Sequence, residues 1–173
     1  SSDLTNNPIA PIAITSNKTS YLPGEVAYIR VTAKDSAGNS VAPQTIGNFF
    51  SSTGITTNVG LGANSDTAGL AATSVTLAAK TTTGYATGDA VAQFTVYMPA
   101  GGGSMTFSAT GGSGLPAALQ GVAITPYTVT ISDSGSQALA AVTALASQVS
   151  AFITKINAQI TTLTDLVMKI QKK

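Results

Sequence analysis

The sequence predicts a mainly β fold, an antiparallel β-sandwich over residues 9–133 after an N-terminal arm at 1–8, followed by one long amphipathic α-helix over 134–173. Two observations lead there. Short segments up to residue 131 alternate apolar and polar residues with period two, and turns rich in Gly, Ser and Pro separate them. The final segment, which contains "QVSAFITKINAQITTLTDLVMKIQKK", changes instead to a seven-residue apolar period.

The strands are read in chain order. "PIAITSN" places Ile12 and Ile14 on one face of a first strand. "YLPGE" reverses the chain through Pro and Gly. In "VAYIRVTAK", residues 26–34, Ala27, Ile29, Val31 and Ala33 alternate with Tyr28, Arg30, Thr32 and Lys34, so one face is buried and the other wet. "DSAGN" follows, with Gly and Asn to supply the positive φ of a tight turn. The middle, residues 51–90, is rich in Gly, Thr and Ala, and within it only "ATSVTLAA" reads as a strand. "AVAQFTVYM" puts Ala92, Phe94, Val96 and Met98 on one face, and "SMTFSAT" and "VAITPYTVTIS" continue the alternation, the latter with Tyr127, Val129 and Ile131 inward. No helix is expected among the strands, which is the pattern of an antiparallel sandwich.

The stretch "KTSYLPGEVAYIRVTAKDSAGNSV", residues 18–41, resembles the opening of a bacterial immunoglobulin-like domain. The shared pattern is Tyr-x-Pro-Gly-Glu, an alternating strand, then Asp-x-x-Gly-Asn and a valine. Such domains occur in invasin-type adhesins, surface-layer proteins and other exported repeat proteins. The resemblance covers about 24 residues and implies an immunoglobulin-like sandwich serving as an extracellular spacer or building block; fold alone does not assign a function.

In the last segment, Ser134 reads as an N-cap with Gln137 three positions on, and Asp133 adds charge at the positive end of the helix dipole. Heptad position a holds Val142, Val149, Ile156, Leu163 and Ile170. Position d holds Ala138, Leu145, Phe152, Gln159 and Leu166, and position e holds Leu139, Ala146, Ile153, Ile160 and Val167. The large apolar residues Val142, Leu145, Val149, Phe152, Ile153, Ile156, Ile160, Leu163, Leu166, Val167 and Ile170 are the candidate oligomerisation surface. Three partners fit such a stripe: the chain's own sandwich, a membrane surface, or other copies of the chain. The nearly uncharged polar face is unlike that of interfacial helices, which carry Lys and Arg there. The a, d and e stripe is wider than a two-stranded seam, which favours three or more helices, with Gln159 at d fixing register or oligomer state.

Composition excludes most chemistry. Only 9% of residues are charged, against about 25% in an average globular protein, and the net charge is +1. Nucleic acid and anionic membranes therefore have no electrostatic footprint. Cys, His and Trp are all absent, which removes disulfides, thiol chemistry, histidine bases and the commonest metal ligands. The acidic residues are isolated in sequence; Asp35, Asp66 and Asp89 lie near turns and read as turn-forming residues that bond their own backbone. "GLGANSDTAG" and "PAGGGSMTF" lack the lysine and helix of a phosphate loop, and "GGSGLP" is no nucleophile elbow. Phe49, Phe50 and Tyr97 are candidates for a binding patch, with core packing the simpler reading for the phenylalanines. Asn17-Lys18-Thr19 is a glycosylation sequon.

No run of 18 apolar residues marks a transmembrane segment, and "SSDLTNNPIAPIAIT" lacks a signal peptide's basic and apolar regions, so the start reads as left by processing or as the cut edge of a longer chain. The expectation is a non-catalytic, cofactor-free structural protein of a prokaryotic cell surface, extracellular and a candidate component of the cell envelope. It is expected to self-assemble, in the manner of a surface layer or coat, through its helix and lateral sandwich contacts. The alternative is a binding module, an adhesin or phage fibre component, made multivalent by the helix.

Overall fold

Strand alternation decides where the core lies. In β3 (Val26–Asp35) the residues buried are Ala27, Ile29, Val31, Ala33 and Asp35, as period two requires. The same holds for Ile12 and Ile14 of β1 (Ile9–Ser16), Val75 and Leu77 of β6 (Val75–Ala79), and Ala92 and Val96 of β7 (Ala90–Tyr97), with Phe94 half-buried against them. These strands and the short β4 (Gln44–Ile46) form one antiparallel sheet in the order β1-β3-β7-β6-β4. The second sheet contains β2 (Ser20–Tyr21), β5 (Thr56–Thr57), β8 (Gly103–Ser108) and β9 (Tyr127–Ile131), in the order β2-β9-β8-β5. Its inward residues, Tyr21, Met105, Phe107, Val129 and Ile131, share one apolar core with those of the first sheet. The structure, a computed structural model, describes residues 9–79 and 89–173, so the expected arm at 1–8 lies outside the described residues. The chain divides into two units, Ser1–Ser132 and Asp133–Lys173.

Several expectations are corrected. The second sheet is not wholly antiparallel: β2 runs parallel to β9, Ser20 beside Thr130 and Tyr21 beside Ile131. The Thr130 N–H donates to Thr19 O at 2.9 Å and the Ser132 N–H to Tyr21 O at 2.8 Å. A helix does occur between strands, α1 (Thr67–Ala71), held by the Asp66 carboxylate, which accepts from the Gly69 N–H at 2.8 Å. A 3-10 turn at Ala117–Leu119 follows Pro116. The alternation in "VAITPYTVTIS" becomes strand only from Tyr127, because Pro126 has no N–H to give a ladder; upstream, Ala123 makes a single bridge to Thr110. In "DSAGN" Gly38 alone takes a positive φ, 84°, while Asp35 Oδ1 accepts from the Ala37 and Asn39 N–H groups at 2.9 and 2.8 Å.

The "YLPGE" turn shows how sequence becomes packing. Pro23 presets φ, Gly24 takes φ 73°, and the Glu25 N–H donates to Leu22 O at 3.1 Å, a type II turn. Tyr21, before the turn, is fully buried, and its hydroxyl donates to Asn17 Oδ1 at 2.8 Å. Glu25 closes the turn from outside by accepting the Leu22 N–H at 2.8 Å and pairing with Lys18. The hydrogen bond from Lys18, and then that from the Leu22 N–H, hold the Glu25 carboxyl below the usual carboxylate range; the Glu25 partner raises Lys18. The Glu25 contribution is present above its unfolded pKa and is lost as pH falls through its folded value; that of Lys18 is lost as pH rises through its raised value. The pair is exposed and adds little stability. Lys18→Ala is expected to move the Glu25 pKa upward, read from its carboxyl carbon by NMR across an acid titration. An unmoved pKa would assign the shift to the Leu22 N–H instead.

Candidate assembly interface

The last unit is α2 (Ser134–Gln171), 38 residues without a break, about 57 Å long at a rise of 1.5 Å per residue. Its N-cap is Asp133, one residue earlier than the Ser134 expected. Asp133 keeps an extended backbone, its Oδ1 accepts from the Gly135 N–H at 2.8 Å, and its carbonyl accepts from the Gln137 N–H at 3.2 Å. Either side chain type can cap, but a carboxylate also faces the positive end of the dipole, which favours Asp. Lys169 lies in the last turn, and the Lys172 N–H donates to Met168 O at 3.3 Å, so cations sit at the negative end.

Helix formation puts columns a, d and e on one side. Each of the eleven sequence-predicted oligomerisation residues is exposed, from 38% at Ile156 to 66% at Ile170. The other sides carry Ser, Thr, Asn and Gln with few charges. Four of the threonines, Thr143, Thr154, Thr161 and Thr162, donate their hydroxyls to the carbonyl four residues back, at 2.8–3.0 Å, so these donors are met within the helix itself. At the edge of the apolar side, Gln159, Thr162, Leu163 and Leu166, spaced i, i+3, i+4, i+7, outline a shallow hollow beside Ala158.

One reading of the sequence changes here. Counting unbroken apolar runs finds no membrane span, yet Gly135–Gln171 is long and apolar enough to cross a membrane by length and composition, with a best window of mean hydropathy 1.5. A helix in hydrocarbon is apolar all round, whereas this one confines its large aliphatic residues almost entirely to one side.

The other candidate residues are placed plainly. Phe49 and Phe50 are buried in the core, edge to face with ring centres 4.9 Å apart, and present no aromatic patch. Their backbone is covered by the "GGSG" motif: the Gly112 N–H donates to Phe49 O and the Gly114 N–H to Asn48 O, both at 2.8 Å. Tyr97 is half-buried in a shallow hollow with Pro23, Gly62 and Met98. Asp35, Asp66 and Asp89 serve separate local roles: Asp35 and Asp66 bond nearby backbone, and Asp89 accepts the Ser40 hydroxyl. Among the described residues no group of three or more His, Cys, Asp or Glu side chains is arranged to hold a metal. Asn17 is exposed, and its Oδ1 also accepts the Tyr28 N–H at 2.8 Å.

The outward face of the second sheet was not singled out from the sequence. Ser20, Thr56, Ser104, Thr106, Thr128 and Thr130 lie on it, and the Thr106 and Thr128 hydroxyls are 2.9 Å apart across β8 and β9. The signal was present as Thr-x-Thr and Ser-x-Thr-x-Ser spacing, which in a strand sends every hydroxyl to one side. No model of a known protein family matches the chain, and no curated protein sequence is significantly similar to it.

Proposed function

We propose that this chain is a non-catalytic structural protein of a prokaryotic cell surface, which assembles with copies of itself through α2 in a surface layer or coat. The observation that carries the reading is the exposed apolar stripe on α2. Burying an aliphatic or aromatic side chain stabilises by about 1.5–3 kcal/mol, which at about 25 cal/mol per Å² corresponds to roughly 60–120 Å² each. Eleven such residues offer roughly 700–1,300 Å² per copy, against the ~800 Å² per partner of a specific interface. A stripe of that size left in water is a strong drive to associate.

The β-domain supports the reading. Its sequence resembles immunoglobulin-like domains of exported surface proteins, and the outward face of its second sheet bears hydroxyls without charge. Such a face loses little on close lateral packing, because no ion has to be desolvated. Few Lys and Glu residues beside abundant Thr, Ser, Ala and Gly lean toward an exported surface protein.

The test is the mass in solution by light scattering, with and without residues 133–173. A multimer that becomes a folded monomer on truncation is expected. A monomeric untruncated chain would end the proposal and assign the stripe to an intramolecular or foreign partner.

A further inference from the structure

Resting on that reading, we propose that α2 pairs antiparallel with the α2 of a second copy, along a seam formed by columns a and e rather than a and d. The choice of seam follows from the polar break. Column d is interrupted by Gln159, whereas column e holds Leu139, Ala146, Ile153, Ile160 and Val167 and has no polar member. Columns e and a alternate at three- and four-residue spacings, which is the coiled-coil requirement in full. On this seam Gln159 moves to the flank and no buried layer contains a polar group.

Orientation follows from size and charge. With the helices antiparallel and overlapping along nearly their whole length, Leu139 of one copy lies opposite Ile170 of the other, Ala146 opposite Leu163, and Ile153 opposite Ile156. The only small residue of column e thus meets a leucine. In a parallel pair Ala146 would face Ala146 and leave a thin layer. The ends agree: Asp133 caps one end, and Lys169, Lys172 and Lys173 lie at the other. Antiparallel packing sets each carboxylate near its neighbour's lysines, whereas parallel packing gathers the lysines of all copies at one end. Leu145, Phe152 and Leu166 remain on one flank of the pair, an edge broken by Gln159, by which one pair meets another and reaches the higher-order bundle that the wide stripe implies.

The chain has no cysteine, so one introduced thiol is the only one present. Leu139→Cys and Ile170→Cys are purified separately, then mixed under exchanging conditions and oxidised beside each variant alone. The expected result is a covalent dimer in the mixture, linked between positions 139 and 170 by peptide mass, with neither variant linking to itself. Self-linking of Leu139→Cys in a protein that is still multimeric would overturn the orientation and leave self-assembly standing. Absence of any link in a multimer would overturn the seam. A monomeric mass of the unaltered chain would remove both the seam and the assembly reading.

Discussion

Replacing Ile156 with Asp is expected to dissolve the proposed assembly while the β-domain stays folded. Ile156 lies in column a, at the centre of the stripe, and is its least exposed large residue. Losing its burial costs about 1.5–3 kcal/mol per copy. A two-fold pair loses it twice, about 3–6 kcal/mol before the charge is counted, which weakens association roughly a hundredfold to ten-thousandfold. The carboxylate adds to that, since an unpaired charge in an apolar seam must be desolvated or stay outside. The apolar core of the sandwich is built from residues within 9–131, so the β signature in circular dichroism is expected to persist. Light scattering at matched concentration is the measurement; a multimer undiminished by the carboxylate would take α2 out of the mechanism.

The second large effect falls on the β-domain. Gly112→Ala is expected to destabilise it by about 3 kcal/mol, the upper part of the range for overpacking. A Cβ at position 112 would lie 2.1 Å from Asn48 O and 2.4 Å from Phe50 O, both backbone atoms that cannot swing aside. The same contact holds the Gly112 N–H on Phe49 O, so relieving the clash breaks that bond and loosens the two buried phenylalanines. For a unit of this size the melting temperature is expected to fall by about 10–15 °C. Gly101→Ala is the control: a Cβ there meets nothing within 4 Å, and a change within about 0.5 kcal/mol is expected. Equal melting of the two variants would refute the close-approach account of the motif.

What was legible in the sequence was what periodicity encodes. β3 reads correctly because it buries every second side chain, β7 because Ala92, Phe94 and Val96 face the core although Val91 beside them is buried as well, and α2 because its apolar residues recur every three or four positions over 38 residues. The failures lie where no period can develop. The five residues of α1 are held by one Asp66 contact, too little for a pattern, and β2 is two residues long and owes its parallel pairing to what surrounds it. Phe49 and Phe50 are buried as the simpler reading has it, but at consecutive positions, so that reading rests on residue type and not on alternation. The glycines of "GGSG" look like a loop in one dimension, and only the folded chain shows which backbone they cover. At the helix start, adjacent Asp133 and Ser134 are both good caps, and local geometry chose between them. For the proposed interface, periodicity locates the apolar face of α2, and the polar break at Gln159 in column d is likewise visible in the sequence.

The parallel pairing of β2 with β9 has a mechanical consequence. β9 leads directly into α2, and the chain enters β2 at the end of the ladder opposite the one by which it leaves β9. Tension applied through α2 and resisted upstream of Thr19 therefore pulls the two strands past each other along their length. The Thr130–Thr19 and Ser132–Tyr21 hydrogen bonds are then loaded together in shear instead of opening one at a time, and Tyr21, anchored in the core, must slide with them. Two strands paired this way resist such a pull where β9 leads into α2.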